Sequence, residues 1–331
     1  MRLLRKVILA AGLLTLAFLL WKLDPAEIWR LSSAVGWGFL LILAQEAVPH
    51  LFNTLGWVFA MSREHARLFR FGELYRHRIQ GDGVNYLTPS GTIAGEYTRA
   101  LLVDNAVAAD IRMGGVAAAK CTQSIAQISF AMLGTALLLP GSIPALSPYE
   151  DSLRTLAFSV LSGLCAAGAA ELFLRKAPAP SAEAQGHWLK GLPSHVRGYF
   201  RAHPGRWLAS TFFFGLGYAW SALEVYWACR FLGTPVDART ALLIEVLSNS
   251  ADMLFFMVPA KVGTQEAGKT AIFHWLGLGA RTGLAFGIVR HLRELLWAAL
   301  GMALYSLELR KNPGANLTRV SPSPTTTASR V

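Results

Sequence analysis

The sequence is short of charge, and shortest of acid. Charged side chains make up 15% of its 331 residues, with 20 Asp and Glu against 31 Lys and Arg, where a soluble domain carries about 25%. With 53% hydrophobic residues and a positive mean hydropathy, too little polar surface remains for a water-soluble chain of this length, and a bilayer is the fitting solvent. Cysteine is also sparse. Cys121, Cys165 and Cys229 lie singly in apolar stretches, without the paired spacing of a disulfide scaffold or a zinc site, which leaves them as small buried hydrophobes. Catalytic signatures are missing: there is no His-Glu-x-x-His, no phosphate-cradling Gly-rich loop, no Gly-x-Ser-x-Gly and no soluble segment to house a cofactor. No basic face interleaved with aromatics marks a nucleic-acid surface. No small-x-small cleavage site follows Val7–Leu20, so the basic start is expected to open an uncleaved membrane helix rather than a signal peptide.

What the chain does have is long apolar runs. Stretches able to cross about 30 Å of hydrocarbon lie near 6–23, 36–61, 112–139, 152–174, 206–231 and 282–309. Two further segments, 71–103 and 240–276, are interrupted by Pro89 with Gly91 and by Pro259 with Gly263, and read as broken helices or re-entrant hairpins. The expected fold is therefore an all-α polytopic membrane protein with six full spans plus two broken-helix hairpins. Basic residues set its orientation. Arg2, Arg5 and Lys6, then Arg63, Arg67 and Arg70, then Arg175, Lys176, Lys190, Arg197, Arg201 and Arg206 predict cytoplasmic segments, and Arg310 and Lys311 place the C-terminus there too. Residues 1–311 form the membrane domain, and the Pro/Ser/Thr-rich stretch 312–331 reads as a disordered tail.

An offset of 170 residues superposes Asp82 on Asp252, Pro89 on Pro259, Glu96 on Glu266, Arg99 on Lys269 and Lys120 on Arg290, with Trp37 on Trp207 and Trp57 on Trp227. The copies, about 36–139 and 206–309, begin on opposite sides of the membrane in this topology, which makes them an inverted repeat of the kind found in secondary transporters. The competing reading is that the prolines only kink ordinary helices.

Intramembrane charge costs roughly 2.5–3.5 kcal/mol per group and usually marks function. Glu46, His50 and Asn53 share one helical face, as do Lys120, Gln123 and Gln127; Glu224 stands in the span 206–231, and Arg290, His291, Arg293 and Glu294 in the last span. Lys120 and Arg290, one per half, suit an anionic head group. Glu96 and Glu266 suit holding those bases, a proton or an amine, with half-helix N-termini after each proline aimed at the same place. The alternative is that these groups bridge one another to hold the halves together. Asp82 and Asp252 read either as cation ligands or as helix caps. The segment Leu189–Arg206 reads as a basic loop or an interfacial helix.

The runs Asn85-Tyr-Leu-Thr-Pro-Ser-Gly-Thr-Ile-Ala-Gly-Glu96-Tyr-Thr-Arg99 and Val258-Pro-Ala-Lys-Val-Gly-Thr-Gln-Glu266-Ala-Gly-Lys269 resemble the paired motifs of flippase-like membrane proteins related to the transmembrane region of lysylphosphatidylglycerol synthase. Arg290-His-Leu-Arg-Glu-Leu-Leu296 and Leu232-Gly-Thr-Pro235 look like the hopanoid-associated, HpnL-like branch. The resemblance covers about residues 5–310 and implies lipid translocation in a bacterial inner membrane, with no cofactor and no metal. It points to Pro89, Gly95, Glu96, Arg99, Pro259, Gly263, Gln265, Glu266, Arg290 and Glu294; intramembrane charge adds Lys120, Lys269 and Arg293. Ala94 and Lys261 depart from the family pattern. The expected partners are a membrane lipid and, in the alternatives of an intramembrane head-group enzyme or a scaffold, enzymes of lipid biosynthesis.

Overall fold

The computed structural model describes residues 24–88, 93–103, 109–142, 196–255 and 261–311, with isolated positions outside these runs. Among the described residues the chain is helical, without strands. The expected spans 6–23 and 152–174, the loop 175–195, the tail 312–331, Cys165, and Pro89, Gly91 and Pro259 lie outside them.

The helices are α1 (Pro25–Ala34), α2 (Gly38–Gln45), α3 (Ala47–Phe59), α4 (Arg63–Ala66), α5 (Phe71–Leu87), α6 (Ile93–Leu102), α7 (Ala109–Leu138), α8 (Pro204–Phe231), α9 (Ala238–Leu254), α10 (Thr264–Trp275) and α11 (Ala280–Lys311). Their ends follow local chemistry. Asp24 and Asp237 accept hydrogen bonds from the first-turn amides of α1 and α9. Gly233 and Gly277, at φ +77° and +73°, close α8 and α10. In each case the next amide, Thr234 or Leu278, donates back five residues, to Cys229 or Phe273. The run Leu232-Gly-Thr-Pro235 is thus a helix stop.

One described helix, Ile111–Leu138, is long and apolar enough by itself to cross a membrane, and Pro25–Ala34 with Gly38–Phe59, bent by 74°, passes as a broken pair. The expected spans 206–231 and 282–309 are the helices α8 and α11, of 28 and 32 residues. They fall short in apolarity because they carry Glu224, Arg290, Arg293 and Glu294, which are turned inward to one another. Each expected broken segment is a helix, an interruption and a second helix: α5 then α6, and α9 then α10. Both leading helices have 17 residues.

α2–α3 and α8 pack side by side and antiparallel at the centre. Gly38 faces Phe231 at one end and Gly56 faces Phe214 at the other, where Ser210 donates to the Gly56 carbonyl at 2.7 Å. Two apolar cores flank this pair. One gathers Trp57, Met61, Leu74, Met113, Val116 and Phe214; the other gathers Ile42, Val225, Ile244, Phe273, Phe286 and Val289. α5 crosses to α11, and α7 to α9, so each half is clasped by the long helix of the other.

Candidate functional site

Aspartates organise both halves in the same way. On α5, Asp82 takes Arg78 from one turn earlier at 3.0 Å and Arg99 from α6, with His50 of α3 at 3.4 Å. On α9, Asp252 takes Lys269 from α10 at 3.0 Å and Lys261 from the interruption at 2.9 Å. In each half the aspartate and the cation of the following short helix are 17 residues apart. Both aspartates therefore hold side-chain cations. Close helix crossing makes the first pair reachable. A Cβ on Gly95 would sit 2.0 Å from the Gly81 carbonyl, so only glycine lets α6 approach α5, and the Gly95 amide is fixed by Asn85 Oδ1 at 2.7 Å.

Glu96 bonds Arg99 at 2.8 Å, and its other oxygen lies 3.7 Å from Lys120 Nζ on α7. Its counterpart Glu266 is engaged differently. It accepts from the Gly263 amide at 2.8 Å and faces His291 Nδ1 at 2.5 Å. Arg290 lies buried between Glu224 at 2.8 Å and Glu245 at 2.6 Å. Arg293 binds Glu46, Glu224 at 3.0 Å and Glu294 at 3.5 Å. An isolated ion buried here would cost several kcal/mol; a shared network is what makes so many tolerable.

Between the halves lies a cavity of about 320 Å³. Four cations (Arg78, Lys120, Lys261, Arg293) and four carboxylates (Glu46, Asp82, Glu96, Glu294) line it, with His50, Asn53, Asn85, Tyr86, Gln123 and Trp297. It takes residues from α3, α5, α6, α7 and α11, from Glu46 at the joint of α2 and α3, and from the interruption before α10. Lys120 is the loosest cation there, its side chain 39% exposed and its one ion pair long.

Of the residues singled out from sequence, Glu96, Lys120, Arg293 and Glu294 line this cavity, together with Glu46, His50, Asn53, Asp82, Gln123 and Lys261. Arg99, Glu266, Lys269 and Arg290 stand behind its wall, each held by a partner already described. Lys120 and Arg290 therefore do not form a pair across the cavity; Lys261 takes the place facing it from the second half. Gln127 reaches Asn249 of α9 instead. Arg78 and Glu245 escaped the sequence reading. Glu245 was findable as a carboxylate inside Ala-Leu-Leu-Ile-Glu-Val-Leu. Arg78 was not, because it ends the polar run Arg76-His-Arg78, which looks like a solvated helix start.

Residues 4–301 match the family described as lysylphosphatidylglycerol synthase TM region. The chain belongs to this family. Comparison with curated proteins and with solved structures returned no match. As a member of the lysylphosphatidylglycerol synthase TM region family, it is an all-α membrane protein, and the interruptions before α6 and α10 fall inside the matched region. The match reaches the family and does not select the hopanoid-associated branch.

Proposed function

We propose that this chain is a lipid transporter whose halves form an inverted-topology repeat, and that a lipid head group passes through the central cavity while its chains stay in the bilayer. The observation that carries the reading is the cavity itself: four cationic side chains and four carboxylates lining a space of about 320 Å³ inside a membrane protein serve a polar cargo better than they serve packing. The antiparallel packing of α2–α3 against α8, which are equivalent at the 170-residue offset, supports the inversion, as does the Asp82–Arg99 pair matched by Asp252–Lys269. The family name, which refers to the membrane region of a synthase of an aminoacylated phospholipid, agrees with lipid as cargo. A balanced lining of cations and carboxylates favours a charged phospholipid head group over the hydrocarbon skeleton of a hopanoid. The excess of Lys and Arg in the basic segments supports a topology with both termini on the cytoplasmic side of a bacterial inner membrane. No observation favours the intramembrane enzyme or the scaffold.

The test uses purified protein in vesicles with fluorescent phosphatidylglycerol, reading the fraction that becomes accessible to an external quencher. Wild type is expected to move it. Glu96→Gln and Glu266→Gln are each expected to abolish movement while remaining inserted and abundant. Full activity in both variants would show that the network is structural and end this mechanism. Topology is read by cysteines at Ser90 and Ala260 in a chain lacking Cys121, Cys165 and Cys229: labelling from opposite sides supports the inversion, and labelling of both from one side removes it.

A further inference from the structure

The two halves differ at one point of their matched architecture. Glu96 is tied to Arg99 and Lys120, a guanidinium and an amine. Glu266, at the equivalent position, is tied instead to a histidine: His291 Nδ1 lies 2.5 Å from its Oε1. The position matching His291 in the first half is Cys121. Histidine is the side chain that exchanges a proton near neutral pH.

This dyad is mechanically connected. Glu266 Oε2 accepts the amide of Gly263 at 2.8 Å, and Gly263, at φ +77°, is the residue on which the chain turns from the interruption into α10. An anionic carboxylate there satisfies an amide and complements the positive end of α10. The other groups facing His291 are few. Lys261 and Glu294 act on it electrostatically, and the Tyr86 ring of α5 meets it edge-on at 6.2 Å. The adjacent Arg290 and Arg293 face away, toward Glu224 of α8 and Glu46 beside α2. Lys261 and Glu294 line the cavity, so the dyad borders the path proposed for the head group.

We propose that Glu266 and His291 form the site of a coupling proton, and that translocation is driven by the proton gradient through the second half alone. This rests on the translocation reading above. With the dyad empty of its extra proton, Glu266 is an anion and holds Gly263 and the start of α10. When a proton enters, the pair becomes neutral, its hold on the Gly263 amide weakens, and the turn from Lys261 to Gly263 at the start of α10 loosens. Unloading on the other face restores the tie. The first half, whose glutamate is tied to a guanidinium and an amine and, among the described residues, to no imidazole, works as the fixed counterpart.

Two measurements test this. The first places a cysteine at Val262, between Lys261 and Gly263, in a chain lacking Cys121, Cys165 and Cys229, and follows its labelling rate from pH 8 to pH 5. The same measurement in a His291→Gln background gives a ratio from which the thiol's own titration cancels. Loss of one cap interaction corresponds to about a fivefold change in opening, so the wild-type to variant ratio is expected to rise about fivefold toward acid. A flat ratio overturns the proton site. Glu266→Gln is expected to remove the rise as His291→Gln does, and equal elution profiles in detergent show that both variants are folded. The second measurement imposes one pH unit across vesicles containing fluorescent phosphatidylglycerol. Coupling at one proton per lipid drives up to about tenfold asymmetry, and His291→Gln removes the response to the gradient. Movement that ignores the gradient overturns the coupling and leaves the lipid reading standing. A pH-dependent ratio with no lipid movement removes the lipid reading and, with it, the coupling, and keeps the dyad as a proton site.

Discussion

Replacing Arg290 with Met is expected to destabilise the protein while the equivalent Lys120→Met leaves it folded and inactive. Both residues are cations at the same point of the 170-residue offset, yet their surroundings are opposite. The Arg290 side chain is 5% exposed between Glu224 and Glu245, which are buried with it. Its removal strands Glu245, whereas Glu224 keeps Arg293 at 3.0 Å. Removing one partner of a buried pair costs about 3–5 kcal/mol. An unfolding entropy of about 2.1 cal/mol/K per residue gives about 0.7 kcal/mol/K for the whole chain. The melting temperature in detergent should therefore fall by about 4–7 °C. Adding Glu245→Gln removes the stranded charge and is expected to recover roughly half of the loss. Lys120, with a partly exposed side chain facing the cavity and a 3.7 Å pair, has about 1 kcal/mol at stake, hence a shift of about 1 °C, while lipid movement is expected to be lost. The assay is fluorescence-detected melting of each variant beside vesicle transport. If Arg290→Met melts with wild type, or Lys120→Met falls as far as Arg290→Met, the division between wall and lining drawn here is wrong.

Gly95→Ala is expected to abolish monodisperse protein on size-exclusion chromatography, because the new methyl meets the Gly81 carbonyl at 2.0 Å. Gly72→Ala, with nothing within 4 Å, should stabilise α5 by about 0.5–1 kcal/mol. Arg206 donates to the carbonyls of Met61 and Val58 at 2.6 and 2.8 Å and closes the end of α3; Arg206→Ala should cost about 1–3 kcal/mol by melting. The Asp237 carboxyl, in the loop before α9, is held below its ordinary pKa by the hydroxyl and amide of Thr240. Wild type should therefore out-melt Asp237→Ala fully above the usual carboxyl range, and the gap should shrink as pH falls through the lowered value.

The positions of the helix interruptions were legible because proline and glycine stand inside otherwise apolar runs: α5 ends at Leu87 and α6 begins at Ile93, and α9 ends at Leu254 and α10 begins at Thr264, on either side of them. The two aspartate pairs were legible for a related reason: charges inside apolar runs are rare, so Asp82 with Arg99 and Asp252 with Lys269 stand out at a common spacing of 17 residues. Partnership was not legible. Whether Arg290 faces a cavity or a wall depends on Glu224 and Glu245, which are 66 and 45 residues away, and no pattern in the chain says which carboxylates will meet it. Lys261 shows the converse. It departs from the expected family pattern, and that departure places an ammonium in the lining next to Asp252 and Glu294.

The crossing of α5 and α11 has a consequence for how the halves are spaced. A Cβ on Gly301 would lie 2.4 Å from the Ile79 carbonyl, and one on Gly83 would lie 2.8 Å from the Ala298 carbonyl. Backbone meets backbone there, with no side chain to compress or re-pack. Ile79, Gly83 and Ala298 are also in the cavity wall. The joint thus behaves as a fixed spacer: backbone already touches backbone, so each carbon inserted would act as a shim that changes the width of the cavity beside it.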